Sequence, residues 1–543
     1  MGYLLASSCK RGKGHAQPRR TGPLRVQMHR QGEQRSIWWK RNRTSRETGD
    51  GKGWASEESY EPIVPKKAGN AGEGPGDPLE GRGEQRNESD GGNMQARRSL
   101  MNMSTKHIRI AELAREDKGR KFFSIAHLLT EGALKEAFED LRKNASAGVD
   151  GATYKEYEAD VVGNIRQLHG RMKSGQYRAQ PLRRIYIAKE DGRQRPISIP
   201  SLEDKIVQMA TVNLLNAIYE QDFLACSYGF RPGLGAQDAL DEVGRVICTR
   251  PITTILEADI SGYFDAIVRK QLIELIEKRV NDGAILKLIG KWINVGVIED
   301  GRLLNSETGV GQGQVISPLL ANIYLHYVLD EWFETEVKPR LRGEANEIRY
   351  ADDFILCFQY REDAEKVMEV LVKRFGKYGL TLHPEKTRLI EFGHEALIKS
   401  ERPGGPKAGT FDFLGFTHIC KRSRGGKFTI HVRTMRKRLR RSLKKVTERC
   451  RSHRHDSVGE QQQALNRILL GHYQYYGRPT NYRSLWQYFR MVRQIWKKWL
   501  DRRNRSRKLK WPAFERLLAK YPLHRPRITR SWSQPRPVQV SLL

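Results

Sequence analysis

The sequence has few cysteines and no long apolar run. Its six cysteines are scattered without paired spacing, which argues against a disulfide framework and indicates a reducing compartment. Cys450, His453 and His455 lie close together but lack an evident fourth ligand for zinc. No apolar stretch reaches the roughly 20 residues that a membrane-spanning helix requires. Secreted disulfide scaffolds and membrane proteins are therefore not expected.

Acidic residues are also in short supply. The chain carries 63 of them against 97 lysines and arginines, a formal net charge of +34. A surplus of this size indicates a polyanionic partner, most commonly nucleic acid. Residues 1–104 are rich in Gly, Arg and Glu and show no sustained period, which predicts a disordered basic extension.

Two adjacent carboxylates, Asp352 and Asp353, stand between short apolar, β-prone runs. Ile348 and Tyr350 precede them, and residues 354–358 follow, which predicts two buried strands joined by a tight turn. Two like charges in a mostly apolar setting repel each other and stay ionised only with cations between them. The pair therefore predicts a Mg²⁺ site at a hairpin tip; the alternative is an ordinary exposed turn.

Asp259 ends another β-like run and is a natural third ligand. Two-metal phosphoryl transfer needs carboxylates from separate strands that hold two cations, one at the attacking hydroxyl and one at the leaving pyrophosphate. We therefore predict two Mg²⁺ ions bound by Asp259, Asp352 and Asp353. The alternative for a single Asp at a strand end is a structural or capping role.

Two further stretches fit a nucleotide site. Residues 184–200 alternate around an Asp-Gly turn, which predicts a hairpin whose basic tip either grips a triphosphate or is merely solvated. Residues 309–316 form a glycine-rich loop that runs into a helix. Its spacing does not fit the dinucleotide-binding fingerprint. A loop beside the incoming nucleotide is the better interpretation.

In this order the blocks resemble those of group II intron-encoded proteins, reverse transcriptases that double as splicing maturases. The resemblance covers about residues 105–505. It implies an α+β right-hand polymerase with fingers, a palm with an antiparallel sheet and a helical thumb. The expected domains are the disordered tail (1–104), fingers and palm (105–420), thumb or maturase domain (421–503) and a short basic DNA-contacting tail (504–543).

The resemblance assigns roles to residues at matching positions. Asp259, Asp352 and Asp353 would be the catalytic and metal-binding trio. The nucleotide-binding residues would be Lys189, Arg195, Phe264 and Gln312, and the primer grip would comprise Phe413, Leu414 and Gly415. The Phe264 ring would clash with a ribose 2′ hydroxyl and so favour deoxynucleotides.

One loop departs from the family pattern. The family usually has Pro-Gln-Gly-Gly, whereas this chain has Gly311-Gln312-Gly313-Gln314. Loss of the proline is expected to loosen the backbone, and a side chain appears where glycine is customary. Nucleotide affinity or fidelity is the property that these changes would affect.

The thumb is expected to bind RNA. Residues 421–454 read as a nearly continuous basic helix, followed by helices over about 460–476 and 482–503. The RNA-binding candidates are Lys437, Arg440, Arg441, Lys444 and Lys445. Interleaved aromatics can stack on unpaired bases or form the core of a helical bundle. We expect core positions at Leu469, Tyr473, Trp486, Phe489 and Trp496.

The resemblance implies an RNA-directed DNA polymerase that also promotes intron splicing and retromobility by target-primed reverse transcription. Its expected partners are group II intron RNA, an RNA template, a DNA target or primer and dNTPs, with no membrane and with a homodimer left open. No His-Asn-His nuclease block follows the thumb, so a pre-existing primer is expected. A bacterial, cytoplasmic, nucleoid-associated protein is expected ahead of an organellar one. The alternatives are a domesticated enzyme of defence or repair and a splicing-only RNA-binding maturase.

Overall fold

A computed structural model describes residues 105–188, 194–299, 302–304, 308–503 and 508–530. The predicted disordered extension (1–104) and Lys189 lie outside these ranges. In chain order the helices are α1 (Thr105–Glu116), α2 (Glu131–Glu139), α3 (Tyr154–Glu158), α4 (Val161–Lys173), α5 (Leu202–Asp222), α6 (Ala236–Thr249), α7 (Tyr263–Ala266), α8 (Arg269–Ile276), α9 (Gly283–Asn294), α10 (Ser317–Leu325), α11 (Arg361–Lys377), α12 (His394–Glu401), α13 (Arg436–Ser452), α14 (Val458–Tyr476), α15 (Tyr482–Asp501) and α16 (Trp511–Lys520). The strands are β1 (Leu182–Ala188), β2 (Gln194–Ile199), β3 (Thr254–Asp259), β4 (Val297–Glu299), β5 (Arg302–Leu304), β6 (Ala345–Tyr350), β7 (Asp353–Phe358), β8 (Arg388–Glu391), β9 (Thr410–Phe413), β10 (Phe416–Arg422) and β11 (Phe428–Thr434).

The palm is built on an antiparallel sheet in the order β6-β7-β3-β8. Side chains alternate across it, since successive residues of a strand point to opposite faces. On β7, Phe354 and Leu356 join a core with Phe375 of α11, whereas Ile355 and Cys357 join a second core with residues of α6 and the thumb. The sheet therefore has a packed layer on each face, as the unbroken apolar run of β7 predicts.

The fingers contain a second sheet in the order β2-β1-β4-β5. Strands β1 and β2 form the predicted antiparallel hairpin, in which Ile187 pairs with Arg195. The short strand β4 runs parallel to the start of β1. With the antiparallel palm sheet and the helical thumb, this arrangement confirms the predicted α+β right-hand architecture.

The basic helix of the thumb begins later than the sequence predicts. The prediction of a helix from Lys421 to Arg454 is wrong for the first part of this range. The end of β10 and all of β11 form a hairpin there. Ile430 and Val432 of β11 are buried, and His431 between them is half-buried. The Ser423–Gly426 turn carries a glycine at φ 76°. The high density of lysine and arginine hides this period-two pattern. Helix α13 begins only at Arg436.

Helices α13, α14 and α15 form the thumb core. Leu469, Tyr473, Phe489 and Trp496 are buried there as predicted. Trp486 is not a core residue, because it lies on the flank of α15 with 36% of its surface exposed. None of the described helices combines the length and apolar character needed to cross a membrane.

The described part of the predicted C-terminal tail folds onto the thumb. Phe514 of α16 is fully buried and contacts Trp496, with ring centroids 5.8 Å apart. Farther on, the Arg530 guanidinium donates to Asp238 of α6 at 2.5 Å. Some of the positive charge of this segment is therefore neutralised within the protein. Residues 504–507 and 531–543 lie outside the described ranges.

Candidate active site

Three aspartates meet at one end of the palm sheet. Asp259 is the last residue of β3 and pairs directly with Asp353, the first residue of β7. Residues directly opposite each other on neighbouring strands have side chains on the same face. Asp352 lies in the two-residue turn that joins β6 to β7, where Ala351 adopts the left-handed φ of 57°. The structure thus places the three predicted carboxylates together.

Their charges oppose one another. Asp353 is partly exposed to solvent, but many protein atoms surround its carboxylate. The resulting desolvation, together with the charges of Asp352 and Asp259, raises its pKa to about 7. Burial, followed by the charge of Asp259, also raises the pKa of Asp352. Arg195 of the fingers and Lys386 lower the pKa of Asp352. Despite these cations, desolvation and mutual repulsion leave the pKa of both Asp352 and Asp353 raised.

Lys386 is a cation that the sequence analysis left without a role. Its Nζ donates to Oδ2 of Asp259 at 2.7 Å, and the nearby amide of His383 donates to the Asp259 carbonyl at 2.8 Å. These contacts hold the segment after α11 against the end of β3. No local pattern in the sequence indicates this contact, because Lys386 meets Asp259 only in the tertiary fold.

The residue types at this site fit Mg²⁺, which prefers carboxylate oxygens. Among the described residues, however, three candidate ligand atoms lie within 4.8 Å of one another only at Cys226, Asp330 and Glu347. That cluster does not suit a metal, because burial raises the pKa of both Cys226 and Glu347 well above their usual ranges. The carboxylate oxygens of Asp259, Asp352 and Asp353 are not all within this distance of one another, but these residues have the chemistry that Mg²⁺ requires and would hold the ions.

A buried ion pair supports the turn that holds Ala351 and Asp352. Arg349, one residue before Tyr350, is fully buried and donates to both carboxylate oxygens of Asp330, at 2.7 and 2.5 Å. The same guanidinium donates to the carbonyl of Ala351 at 3.1 Å and to Oδ1 of Asn322 at 3.1 Å. Ala351, the left-handed residue next to Asp352, is thus hydrogen-bonded to the guanidinium of Arg349, which is held in place in the protein core.

The helix that carries Asp330 changes its winding at this point. After α10, residues His326–Asp330 form a π-helical segment, a feature that often occurs at functional sites. Asn322, one turn earlier, donates to the carbonyl of Gly229 at 2.6 Å. A Cβ at Gly229 would collide with the amide of Ala351, so glycine is required at this position. The turn that holds Ala351 and Asp352 therefore contacts Arg349 on one side and Gly229 on another.

The predicted nucleotide-binding residues are linked to one another. Phe264 of α7 is buried, with 8% of its surface exposed, and its carbonyl accepts from the amide of Val310 at 2.9 Å. Farther along the same loop, Oε1 of Gln312 accepts from Nε of Arg195 at 2.8 Å. The Gln312 carbonyl accepts from the amide of Ser198 at 2.7 Å. The loop therefore joins α7 to the fingers hairpin.

The predicted primer grip is a tight turn between β9 and β10. Leu414 and Gly415 both have left-handed backbone, with φ of 46° and 79°, as a two-residue hairpin turn requires. The hydroxyl of Tyr475, on thumb helix α14, donates to the Leu414 carbonyl at 2.8 Å. The Tyr475 ring also stacks on Phe416, with centroids 5.9 Å apart. The thumb thus supports this turn.

The predicted RNA-binding residues lie along α13. The apolar stripe of this helix faces the thumb core through Leu443 and Val446, both buried. The cations lie mostly on the opposite side: Lys437, Arg440, Lys444 and Lys445 are exposed and Arg441 is half-buried. The helix therefore presents a basic face next to the site, and Arg438 on its first turn lowers the pKa of Asp353.

Comparison with known proteins agrees with this geometry. Residues 187–418 match the family model described as reverse transcriptase (RNA-dependent DNA polymerase). Protein YkfC of Escherichia coli is 32% identical over 300 residues, which cover 47% of this chain and 77% of YkfC. The range 187–418 that matches the family model includes all three aspartates, Phe264 and the loop at Gln312.

Proteins encoded in introns are also similar to this chain. The group II intron-encoded protein LtrA of Lactococcus lactis is 32% identical over 259 residues, covering 46% of this chain and 43% of LtrA. A 91 kDa protein in the cob intron of Schizosaccharomyces pombe is 37% identical over 249 residues, covering 44% of this chain and 30% of that protein. The match thus spans less than half of each intron-encoded relative.

Proposed function

The chain belongs to the group II intron-encoded reverse transcriptases, which are RNA-directed DNA polymerases, and from this premise we propose that it extends a DNA primer on an RNA template at Asp259, Asp352 and Asp353. The observation that carries this proposal is the register of the palm sheet, which sets Asp259 opposite Asp353 beside the turn that holds Asp352. Carboxylates on adjacent strands are the arrangement that nucleotide transfer with two metal ions requires.

Each group has a part in the reaction. The primer 3′ hydroxyl attacks the α-phosphorus of the incoming dNTP, a new O–P bond forms, and pyrophosphate leaves. Bound Mg²⁺ would lower the pKa of the hydroxyl and neutralise the charge that develops on the phosphates. Arg195 adds positive charge from the fingers, while Gln312 keeps that guanidinium in place. The turn at Leu414 positions the primer end, supported by Tyr475.

Primer extension tests the proposal directly. Purified protein is incubated with poly(A) annealed to oligo(dT), labelled dTTP and Mg²⁺, and product length is followed on a gel. We expect Mg²⁺-dependent synthesis that EDTA stops. Absence of synthesis by the wild-type protein, or synthesis that Asp352→Ala leaves unchanged, would contradict the assignment.

Phe264 is expected to select the sugar. Phe264→Ala removes the ring beside the nucleotide loop and opens space for a 2′ hydroxyl, so discrimination against rUTP should fall by about ten-fold or more in kcat/KM. The ratio of kcat/KM for dTTP and rUTP measures the effect. Tyr263→Phe is the control, because it removes only a hydroxyl that donates to Ala321. Equal discrimination in wild-type and Phe264→Ala proteins would remove Phe264 from this role.

We also propose that the basic face of α13 binds intron RNA and that this binding supports splicing and retromobility. Exposed lysines and arginines along one helix match the spacing of phosphates only loosely, so they supply affinity rather than sequence specificity. A DNA target or primer would use the same region of positive charge. A bacterial cytoplasm with nucleoid association is the setting that such partners imply.

The salt dependence of binding tests the role of α13. Replacing Lys437, Arg440 and Lys444 together with glutamine should lower the slope of log K against log salt by about two to three units, if each contacts one phosphate. Filter binding of a structured intron RNA over a salt series gives the slope. The control replaces Lys366, Lys373 and Lys377 of α11, which are exposed on the palm. An equal change in both triple variants would show only a general charge effect.

A further inference from the structure

Gln314 is the residue that occupies a customary glycine position in the nucleotide loop. Its side chain is not loose at the surface, because only 3% of the residue is exposed. Its Oε1 accepts from Nε2 of Gln208 on α5 at 2.8 Å, and its Nε2 donates to the carbonyl of Trp292 on α9 at 3.1 Å. The side-chain amide of Gln208 also bonds the loop directly, because its Oε1 accepts from the backbone amide of Val315 at 3.0 Å. The loop is thus fastened to two helices of the core.

Gly311 is the other departure, and its surroundings explain it. A Cβ at Gly311 would lie 2.7 Å from Nε2 of Gln314 and 2.8 Å from Cδ1 of Leu182, closer than nonbonded atoms approach. A long side chain can usually move away from such a contact. Gln314 cannot move without breaking its hydrogen bonds, because both ends of its amide are bound inside the core. A proline ring at position 311 would collide with the same atoms.

Gln312 and Gly313, which lie between Gly311 and Gln314, contact the fingers. The carbonyl of Gln312 accepts from Ser198 at 2.7 Å, and Gly313 has φ 114°, with room for no Cβ because the Ser198 carbonyl would be 2.7 Å away. A displacement of Gln314 would therefore change the position of Gln312, and with it the guanidinium of Arg195.

We infer that Gly311 and Gln314 are one coupled pair, in which the buried amide of Gln314 replaces the rigidity of a proline and positions Gln312 for the nucleotide. Gln314 is a positioning residue, since its own contacts are to the core and not to the reacting groups. Hydrogen bonds to α5 and α9 thus hold the loop where the family has a proline ring. The kinetic consequence rests on the proposed polymerase function, whereas the structural coupling does not.

A four-member cycle tests the coupling: wild type, Gly311→Pro, Gln314→Gly and the double variant. We expect each single change to lower the thermal midpoint by several degrees and to raise KM for dTTP about five-fold or more. The double variant should have a lower KM than the product of the two single effects predicts, because Gln314→Gly removes one of the two side chains that the proline ring would meet, while the contact with Cδ1 of Leu182 remains. Effects on KM that multiply and shifts in midpoint that add would overturn the inference.

A matched pair separates positioning from general stability. Gln314→Leu keeps the volume but removes both hydrogen bonds, and Gln461→Leu does the same to a buried glutamine of the thumb that bonds Trp496 and the His453 carbonyl. Both should lower the thermal midpoint, but only Gln314→Leu should raise KM for dTTP. An equal KM in the two variants would overturn the positioning role. If the wild-type protein failed to polymerise, the polymerase proposal would fall, while the thermal cycle would still decide on the coupling.

Discussion

The substitution Asp353→Asn is expected to reduce nucleotide addition by at least about 1000-fold, which corresponds to about 4 kcal/mol of transition-state stabilisation. Asparagine has the same shape, so the pairing of β7 with β3 should persist. What is lost is one of the negative charges that would hold Mg²⁺ at this site, where Asp353 pairs with Asp259. Single-turnover primer extension measures the loss.

The same substitution should not destabilise the metal-free protein. The pKa of Asp353 is raised to about 7 by desolvation and by the charges of Asp352 and Asp259, so ionised Asp353 opposes folding at higher pH. Removing this charge relieves the repulsion. The thermal midpoint without Mg²⁺ should therefore stay equal or rise, and the additional stability that Mg²⁺ binding gives the wild type should shrink.

Glu391→Gln is a suitable control. Glu391 is an exposed carboxylate of the same sheet, but it pairs with Thr254 at the end of β3 that is farthest from Asp259. This variant should keep both its activity and its stabilisation by Mg²⁺. Rapid synthesis by Asp353→Asn, or an unchanged effect of Mg²⁺ on its thermal midpoint, would show that the metal binds elsewhere.

The parts of this site that the sequence predicts are those with a local cause. The hairpin around Asp352 and Asp353 follows from two apolar runs and a turn. The primer-grip turn at Leu414 and Gly415 follows from the resemblance to the family, and the strand that ends at Asp259 follows from a short β-like run. Each of these signals lies within about ten residues, the range in which strand and turn patterns operate.

The parts that the sequence does not predict depend on tertiary contacts or on an alternating pattern that neighbouring charged residues obscure. Lys386 reaches Asp259 across 127 residues of chain, and no local pattern indicates such a pair. The strand around Ile430 is hidden by neighbouring cations, so it resembles the basic helix that follows. Trp486 has the type of a core residue, but its angular position on α15 places it at the edge of the buried face.

The Arg349–Asp330 pair is the clearest example of a feature beyond local prediction, and breaking it should have the largest effect on stability. Arg349→Met leaves Asp330 charged and unpaired in the core, which costs about 3 to 5 kcal/mol of folding free energy. The neighbouring Glu347 supplies no positive charge in place of the guanidinium; burial and then the charge of Asp330 raise its pKa well above the usual range. Urea unfolding of the single variant measures the change.

The double variant Arg349→Met/Asp330→Leu separates folding from catalysis. Replacing both charges with apolar residues of similar size should recover most of the stability. It should not recover activity, because the Ala351 carbonyl still lacks its donor. A turn that shifts by about 1 Å is expected to lower kcat by about 100-fold, with little change in KM for dTTP.

A second buried pair provides the comparison. Arg279 donates to Asp222 at 2.7 Å and also to backbone carbonyls, including that of Ala114 at 3.0 Å, so its surroundings match those of Arg349 without a catalytic turn. Arg279→Met/Asp222→Leu should therefore regain stability and retain kcat within about two-fold. If both double variants kept their kcat, Arg349 would be a structural residue only. If only the Arg349→Met/Asp330→Leu variant lost kcat, the buried Arg349 guanidinium that donates to the Ala351 carbonyl sets the position of Asp352. The catalytic carboxylates would then depend on a residue that does not contact the substrate.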